Sequence, residues 1–149
     1  GHMAPAADMT WSETAMKESF YFSNMCPQNP GLNRGAWKDL EESIRKWVKK
    51  DSAIAIVCGP LVDKRDTTIG RNEVKIPHAF FKVIVSPYVT TPRGIGFVFK
   101  NEKEDAPLSA YVVSIDSVEA LTGMDFFSEL PDELENRLES QNNIFDWEL

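Results

Sequence analysis

The sequence predicts an α+β fold, because helix-like and strand-like segments both occur without the regular alternation that builds a parallel sheet. The clearest helix begins near Gly35. Its apolar residues recur every three or four positions and therefore share one helix face: Trp37, Leu40, Ile44 and Trp47. The clearest strand is the continuous apolar run 53–57 (AIAIV), which is typical of a strand covered on both faces.

A strand, a loop and the long helix are predicted over residues 20–45. The aromatic and apolar residues at 20–25 (FYFSNM) suit a half-buried strand. A loop rich in proline, asparagine and glycine, residues 27–31, then breaks the chain before the helix. Upstream of this unit, residues 8–12 hold good helix-starting residues and predict a short helix.

The rest of the chain predicts further strands and two short helices. The strands lie at 74–85, 95–99 and 111–115, after a polar hairpin loop at 63–73. The first short helix covers residues 114–123, with Asp116 or Ser117 as its cap. The second covers residues 131–141, with Pro131 at its first position.

The charge is unevenly distributed along the chain. The net charge is −7, but residues 1–100 carry 14 Lys and Arg against 10 Asp and Glu, and residues 101–149 carry 2 against 13. The overall acidity argues against adhesion to nucleic acid through net charge, although the first hundred residues can hold a local basic patch. The acidic end is predicted to be a solvated surface. Since no apolar run reaches about 18 residues, no membrane span is predicted.

The two cysteines, Cys26 and Cys58, each end an apolar run. Two buried free thiols are the preferred interpretation. A disulfide between neighbouring strands is the alternative. The chain contains no CxxC pair and no Cys/His spacing of the zinc-binding kind.

Taken one by one, the polar residues have ordinary interpretations. Asn33 alone is more often a helix cap than a ligand, and Glu41 with Arg45 is more often a surface ion pair one helical turn apart. His78 is expected to be either a surface residue or a partly packed one. A chain that starts Gly-His-Met would make His2 look like the remnant of an expression tag.

Three spaced motifs change this interpretation. Residues 1–9 (GHMAPAADM), 23–28 (SNMCPQ) and 32–37 (LNRGAW), followed by Glu41 and Arg45, resemble signatures of the sugar-non-specific DNA/RNA endonucleases. This family, which includes endonuclease G, belongs to the ββα-metal or His-Me finger superfamily. The resemblance extends to about residue 130, and the motif continues after Gly-His-Met without a break. His2 is therefore interpreted as native sequence.

The resemblance implies a ββα-metal fold, with a central, mostly antiparallel sheet flanked by helices and the active-site ββα unit at about residues 1–50. Residues 1–149 are expected to form a single domain. The family pattern has Asp-Arg before Gly-His and further strands upstream. The chain is accordingly expected to be the C-terminal two-thirds of the nuclease domain, with the N-terminal part missing. His2 is expected to be poorly held beside a free amino terminus, which predicts a crippled site.

The resemblance also implies catalytic and metal-binding roles. His2 would be the general base, since imidazole titrates near neutrality. Asn33 would bind Mg²⁺ directly through its amide oxygen, a donor that suits this hard cation, and Mn²⁺ or Ca²⁺ would substitute in binding. Glu41 follows Asn33 by eight residues, about 12 Å of helix. Glu41 would therefore act on the metal through water.

The remaining predicted site residues act on the substrate or support the site. Arg45 would bind the phosphate and stabilise the charge that develops in the transition state. Arg34 would be a second substrate contact. Asn24 matches a family position in the catalytic site and ranks below the others.

The predicted function is magnesium-dependent, sequence-non-specific hydrolysis of DNA and RNA that leaves 5′-phosphate ends. The expected partner is the phosphate backbone of DNA and RNA. No association with a membrane is expected, and a homodimer is left open. The alternatives are a crippled fragment, or a non-catalytic relative that binds nucleic acid or a protein partner. A protein-interaction module that uses the acidic surface is a third. The compartment is not fixed by the sequence. Family analogy predicts secretion, periplasmic export or an organelle, and favours a secreted or periplasmic protein.

Overall fold

The computed structural model describes residues 1–147 and contains helices and strands in mixed order. The helices are α1 (Glu13–Glu18), α2 (Pro30–Asn33), α3 (Ala36–Asp51), α4 (Ile115–Thr122) and α5 (Asp132–Glu139). The strands are β1 (Ala55–Leu61), β2 (Thr68–Ile69), β3 (Val74–Lys75), β4 (Ala79–Ser86), β5 (Arg93–Lys100) and β6 (Val112–Val113). Short 3₁₀ turns lie at Ala6–Met9, Phe22–Asn24, Leu108–Tyr111 and Ile144–Trp147. None of the helices within residues 1–147 has the length and apolar character needed to span a bilayer.

The main sheet is antiparallel throughout, with strand order β1-β4-β5-β6. β2 and β3 form a separate hairpin, in the segment where the polar loop is predicted. In the middle of the sheet, Lys82 of β4 lies opposite Cys58 of β1 and Phe97 of β5. The α+β prediction, with an antiparallel sheet flanked by helices, is confirmed.

The two faces of this sheet pack against different helices. The apolar stripe of α3 is buried on one face, as its spacing predicts. It meets aromatic and aliphatic residues of the two central strands: Phe80, Ile84, Ile95, Phe97 and Phe99. The other face packs against residues from α4, the following loop and α5, among them Ile115, Val118, Phe126 and Leu138. The strongest helix prediction therefore identifies one half of the core.

The strand predicted at residues 20–25 is wrong. Phe22–Asn24 forms a 3₁₀ turn, and the Phe22 side chain is 95% exposed. Within this stretch only Met25 pairs as a strand residue, through a single antiparallel bridge with His2. The turn forms because the Asn24 side chain bonds to the backbone of Ala4 and Ser19, a long-range contact that a local pattern does not encode.

Three smaller predictions also differ from the structure. The apolar run 53–57 is not covered on both faces, because Ile56 and Val57, which point to opposite faces of β1, are 39% and 36% exposed. The cap of α4 is Ser114, whose Oγ accepts from the amide of Ser117 at 3.1 Å. The strand predicted at 111–115 is limited to Val112–Val113. Both cysteines are free thiols, but they are half-buried and not fully buried as predicted.

A buried ion pair joins α3 to the sheet. Asp51, the last residue of α3, is 7% exposed and accepts from Ser86 Oγ at 2.8 Å and from Arg93 Nη2 at 2.6 Å. The Arg93 guanidinium lies over the Trp147 ring, 4.5 Å from its centroid. Asp51 therefore connects α3, β4 and β5, and through Arg93 it reaches the C-terminal turn.

Replacement of Asp51 by asparagine is expected to lower the free energy of unfolding by about 2 kcal/mol, because a charged hydrogen-bond acceptor is lost inside the protein. Chemical denaturation measures the change. Asp39→Asn is the matched control, since Asp39 lies on the same helix but is exposed. Equal destabilisation by the two variants would contradict the role assigned to Asp51.

Candidate active site

The segment that carries His2 is fixed by backbone hydrogen bonds on both sides. Met3 N donates to Asn24 O at 2.9 Å, Cys26 N donates to Gly1 O at 3.0 Å, and the amino group of Gly1 donates to Cys26 O at 2.7 Å. His2 lies between these bonds, opposite Met25. The expectation that His2 is poorly held therefore differs from the structure, because the segment pairs with residues 24–26 up to its first residue.

The His2 ring lies in a partly apolar environment. It makes an edge-to-face contact with the Phe20 ring, with centroids 4.4 Å apart and an interplanar angle of 85°. Its Nε2 is buried and has no hydrogen-bond partner within residues 1–147. Burial lowers the pKa of His2 below the ordinary 6.5. The ring is therefore neutral at neutral pH and has an unpartnered nitrogen.

Asn24 holds the His2 segment, and both protons of its side-chain amide are used within the protein. Its Oδ1 accepts from Ala4 N at 2.9 Å, and its Nδ2 donates to Ala4 O and Ser19 O, both at 2.8 Å. These bonds join the segment after His2 to the turn before Met25. Asn24 therefore fixes the position of the His2 segment.

Asn33 and Gln28 bring two amide oxygens to Gly1. A Cβ built on Gly1 would lie 2.6 Å from Asn33 Oδ1 and 2.0 Å from Gln28 Oε1, so no side chain fits at this position. Asn33 is the last residue of α2. Both polar atoms of the Gln28 amide are buried without a hydrogen-bond partner within residues 1–147. Sequence reasoning missed Gln28 as a site residue, although it ends the second motif.

Glu41 lies on the buried side of α3 beside a buried lysine. Its Oε1 is 3.8 Å from Lys82 Nζ, and the side chains are only 12% and 3% exposed. Burial raises the pKa of Glu41, while Lys82 and Arg45 oppose that shift. Burial also lowers the pKa of Lys82, against the attraction of nearby acidic groups. Both shifts have the same cause, since a low-dielectric environment disfavours each charge.

Trp37 connects this ion pair to His2. Its Nε1 donates to His2 O at 3.2 Å, and Lys82 Nζ lies 4.4 Å from the centroid of its ring. Glu41 follows Trp37 by one turn of α3. The tryptophan therefore joins the backbone of the His2 segment to the Glu41–Lys82 pair through direct contacts.

Arg45 is paired with an acidic residue of the first motif. Its Nη1 is 3.1 Å from Asp8 Oδ1, and the side chains of Arg45 and Asp8 are 31% and 30% exposed. Glu41, Asp8 and Lys82 line a cavity of about 180 Å³. Sequence reasoning did not identify Asp8, which holds the Arg45 guanidinium through this contact.

The other predicted residues lie at the surface. Arg34 is exposed directly after α2. His78 lies at the surface, where Nδ1 is 2.9 Å from Asp66 Oδ2, and this contact lowers the pKa of Asp66. A larger cavity of about 420 Å³ is lined in part by His78, but its lining includes neither His2 nor Asn33. The chemistry of the site is therefore not located by cavity size.

Comparisons with known proteins agree on one family. The family model described as DNA/RNA non-specific endonuclease matches residues 1–133. Human mitochondrial endonuclease G is 34% identical over 139 residues, which cover 85% of this chain and 47% of the relative. The mitochondrial nuclease of Saccharomyces cerevisiae is 36% identical over 152 residues, which cover 88% and 46%. A crystal structure of an EndoG/EndoGI complex matches with a TM-score of 0.82 and 32% identity, covering 90% of this chain and 60% of that chain.

These matches also correct one expectation. The human and budding-yeast relatives are mitochondrial by name, as is Nuclease 1 of Schizosaccharomyces pombe, so the preference for a secreted or periplasmic protein is wrong. The chain spans about half the length of these relatives. The family predicted from the three motifs is confirmed by the model match over residues 1–133. The chain belongs to the DNA/RNA non-specific endonuclease family.

Proposed function

We propose that the protein is a magnesium-dependent endonuclease that hydrolyses DNA and RNA without sequence preference and leaves 5′-phosphate ends. The observation that carries the proposal is the arrangement around Gly1. There the neutral His2, with its unpartnered Nε2, adjoins a residue on which the amide oxygens of Asn33 and Gln28 converge. This arrangement combines a base with hard oxygen donors.

The residues around Gly1 fit the metal that the family requires. The family consists of metal-dependent nucleases. Amide oxygens are ligands that Mg²⁺ accepts, and it binds few protein groups while keeping several waters. Asn33 would hold Mg²⁺ directly through Oδ1, with Mn²⁺ or Ca²⁺ as substitutes in binding. The bound ion would polarise a phosphate oxygen of the substrate. The unpartnered Gln28 amide supports this fit, because buried polar atoms normally have partners.

His2 is the general base in this proposal. The imidazole takes a proton from water, the water oxygen bonds to phosphorus, and the bond from phosphorus to the 3′-oxygen breaks. The departing 3′-oxygen takes a proton from solvent, so the phosphate stays on the 5′ end. The lowered pKa of His2 supports the role, because a base must be unprotonated at the working pH.

Two further groups act around this step. Arg45 donates to the phosphate as negative charge develops, and Asp8 holds its guanidinium in position. Glu41 would orient water near a bound metal ion, and the positive charge of Lys82 favours the ionised form of Glu41. Arg34, exposed after α2, is a second contact to the phosphate backbone.

The recognised partner is the phosphate backbone of DNA or RNA. Contacts to phosphate carry no base identity, which agrees with cleavage at any sequence.

Residues 1–149 act as one domain in this proposal, with the ββα unit within about residues 1–50. Self-association is a prediction from the resemblance, and sedimentation of the chain over a range of concentrations tests it.

Cleavage of supercoiled plasmid and of a structureless RNA by the full chain tests the proposed function. Both substrates are expected to disappear with MgCl₂ and to persist with EDTA. Asn33→Ala is expected to weaken Mg²⁺ binding by about tenfold or more, since it removes the direct ligand. The matched control is Asn72→Ala, at an exposed asparagine of the β2–β3 loop.

Two results would contradict this proposal. Unchanged magnesium dependence in Asn33→Ala would show that the metal assignment is wrong. Magnesium-dependent binding of plasmid without any cleavage would favour the non-catalytic relative. Gel-shift and cleavage assays on the same samples separate these outcomes.

A further inference from the structure

Five acidic side chains converge between α4 and α5, on the sheet face opposite α3. Asp116 and Glu119 come from α4, and Glu135 and Glu139 come from α5. Asp125 comes from the loop that joins the two helices. We call this set the α4–α5 acidic cluster. None of its members has a part in the proposed nuclease chemistry.

The cluster consists of two overlapping groups that share Glu139. One carboxylate oxygen from each of Asp116, Glu119 and Glu139 lies within 4.8 Å of the others. The same limit of 4.8 Å holds for Asp125, Glu135 and Glu139. Spacings of three residues on α4 and four on α5 place each helical pair on one face. The backbone therefore places the two carboxylates of each helix side by side, from the exposed Asp116 to the buried Glu139.

Glu139 provides a second, independent observation. It is only 5% exposed, and its Oε1 is buried without a hydrogen-bond partner within residues 1–147. A buried carboxylate needs a proton, a cation or hydrogen-bond donors to offset the loss of hydration. The expectation that the acidic end is a solvated surface is therefore wrong at Glu139, which points into the cluster from inside the protein.

The electrostatic environment of Glu139 is negative. Its pKa is raised to about 7, first by burial and then by the charges of Glu119, Glu135, Asp116 and Asp125. Glu119 is partly stabilised, because its Oε2 accepts from Phe126 N at 2.7 Å. This bond also fixes the loop beside Asp125. The negative charges of the neighbouring carboxylates disfavour the ionised form of Glu139, and a bound cation would offset this repulsion.

We propose that the α4–α5 acidic cluster binds a divalent cation, with Ca²⁺ preferred, and that Glu139 is the ligand shared by its two halves. Ca²⁺ accepts six to eight oxygen ligands in irregular arrangements, which suits carboxylates from two helices and a loop. Mg²⁺ requires a near-ideal octahedron and loses its waters reluctantly, so it binds here more weakly. The ion joins α4, the loop and α5.

Calcium titration by calorimetry tests this site. The experiment uses the full chain carrying Asn33→Ala, so that binding at the proposed catalytic metal site is weakened and contributes less to the titration. One Ca²⁺ per chain is expected, with a Kd between about 10⁻⁷ and 10⁻⁴ M. Additional Glu139→Gln is expected to weaken binding by at least about tenfold. The matched control is Glu133→Gln, because Glu133 is exposed on α5 outside the cluster.

Thermal unfolding gives a second readout. Calcium at about 100 times the Kd is expected to raise the Tm by about 5 °C or more, and Glu139→Gln is expected to abolish this shift. No calcium binding by the Asn33→Ala chain, with the fold intact by circular dichroism, would overturn the proposal in favour of a protonated Glu139. Binding unchanged by Glu139→Gln would overturn it too. Tighter binding of MgCl₂ than of CaCl₂ would overturn the choice of calcium.

The two metal proposals fail in different ways. Loss of plasmid cleavage in Asn33→Ala with calcium binding retained supports both. Retained cleavage in Asn33→Ala contradicts the catalytic metal site and leaves the calcium measurement unaffected. Glu139 has no role in the proposed cleavage reaction. The Glu139→Gln variant is therefore expected to hydrolyse plasmid at the rate of the unsubstituted chain, at a temperature well below the Tm of the variant.

Discussion

Replacement of His2 by alanine is expected to slow cleavage of plasmid DNA and of RNA by about 10²–10⁴-fold, the usual contribution of a general base. The loss follows because the proton of the attacking water no longer has an acceptor. The fold should persist, since the bonds that hold this segment join the backbone of Gly1 and Met3 to residues 24–26. Single-turnover rates at saturating Mg²⁺ measure the effect.

The pH dependence of cleavage has a defined direction. The folded-state pKa of His2 lies below the ordinary 6.5, so the ring stays neutral until the pH falls to this lowered pKa. The rate is expected to fall only as the pH drops through this lowered pKa. Stability follows the same sign: protonation favours the unfolded chain once the pH falls below 6.5. His2→Ala is expected to remove both effects.

His78 provides the matched control for His2. It is the only other histidine in the sequence, and its ring is at the surface beside Asp66. His78→Ala is expected to leave the rate and its acid limb unchanged. A loss of activity in His78→Ala as large as that in His2→Ala, or no loss in His2→Ala, would contradict the assignment of the base.

Replacement of Lys82 by methionine is expected to lower the free energy of unfolding by about 3 kcal/mol. The change leaves the Glu41 carboxylate, 12% exposed, without the ammonium 3.8 Å away. It also removes the cation from the Trp37 ring. For a chain of this size the Tm should fall by about 6–12 °C. Urea denaturation and calorimetry measure the two quantities.

The surface pair Lys38–Glu42 is the control for this prediction. It has a similar separation of 3.3 Å, but its side chains are 57% and 47% exposed. Lys38→Met is therefore expected to cost less than about 1 kcal/mol. A loss in Lys82→Met no larger than the loss in Lys38→Met would show that the buried pair does not stabilise the fold.

A double-mutant cycle separates the ion pair from the packing of the lysine stem. The Glu41→Gln variant lacks the negative charge that faces Lys82. Lys82→Met is therefore expected to lower the free energy of unfolding less in this variant than in the unsubstituted chain. The coupling free energy is expected to lie between about 0.5 and 3 kcal/mol. A coupling of zero would assign the whole effect to lost packing.

The local sequence determined the helix that carries half of the core. Trp37, Leu40, Ile44 and Trp47 lie on one face by spacing alone, and all four are buried. Three motifs over residues 1–45 determined the family in the same way, because their identity and order are readable without coordinates. Such features depend on neighbours within a few residues or on fixed motifs, and a linear sequence displays both.

Only the tertiary structure decided which polar residues meet. Lys82 reads as one charge inside an apolar strand, and its partner Glu41 lies on α3, some forty residues earlier in the chain. Glu139 reads as one more acid on a polar helix, although it is buried against carboxylates of α4 and the loop. Gln28 reads as a loop residue, although its amide faces Gly1. Burial and electrostatic environment arise from contacts between distant segments, and those contacts exist only once the chain has folded.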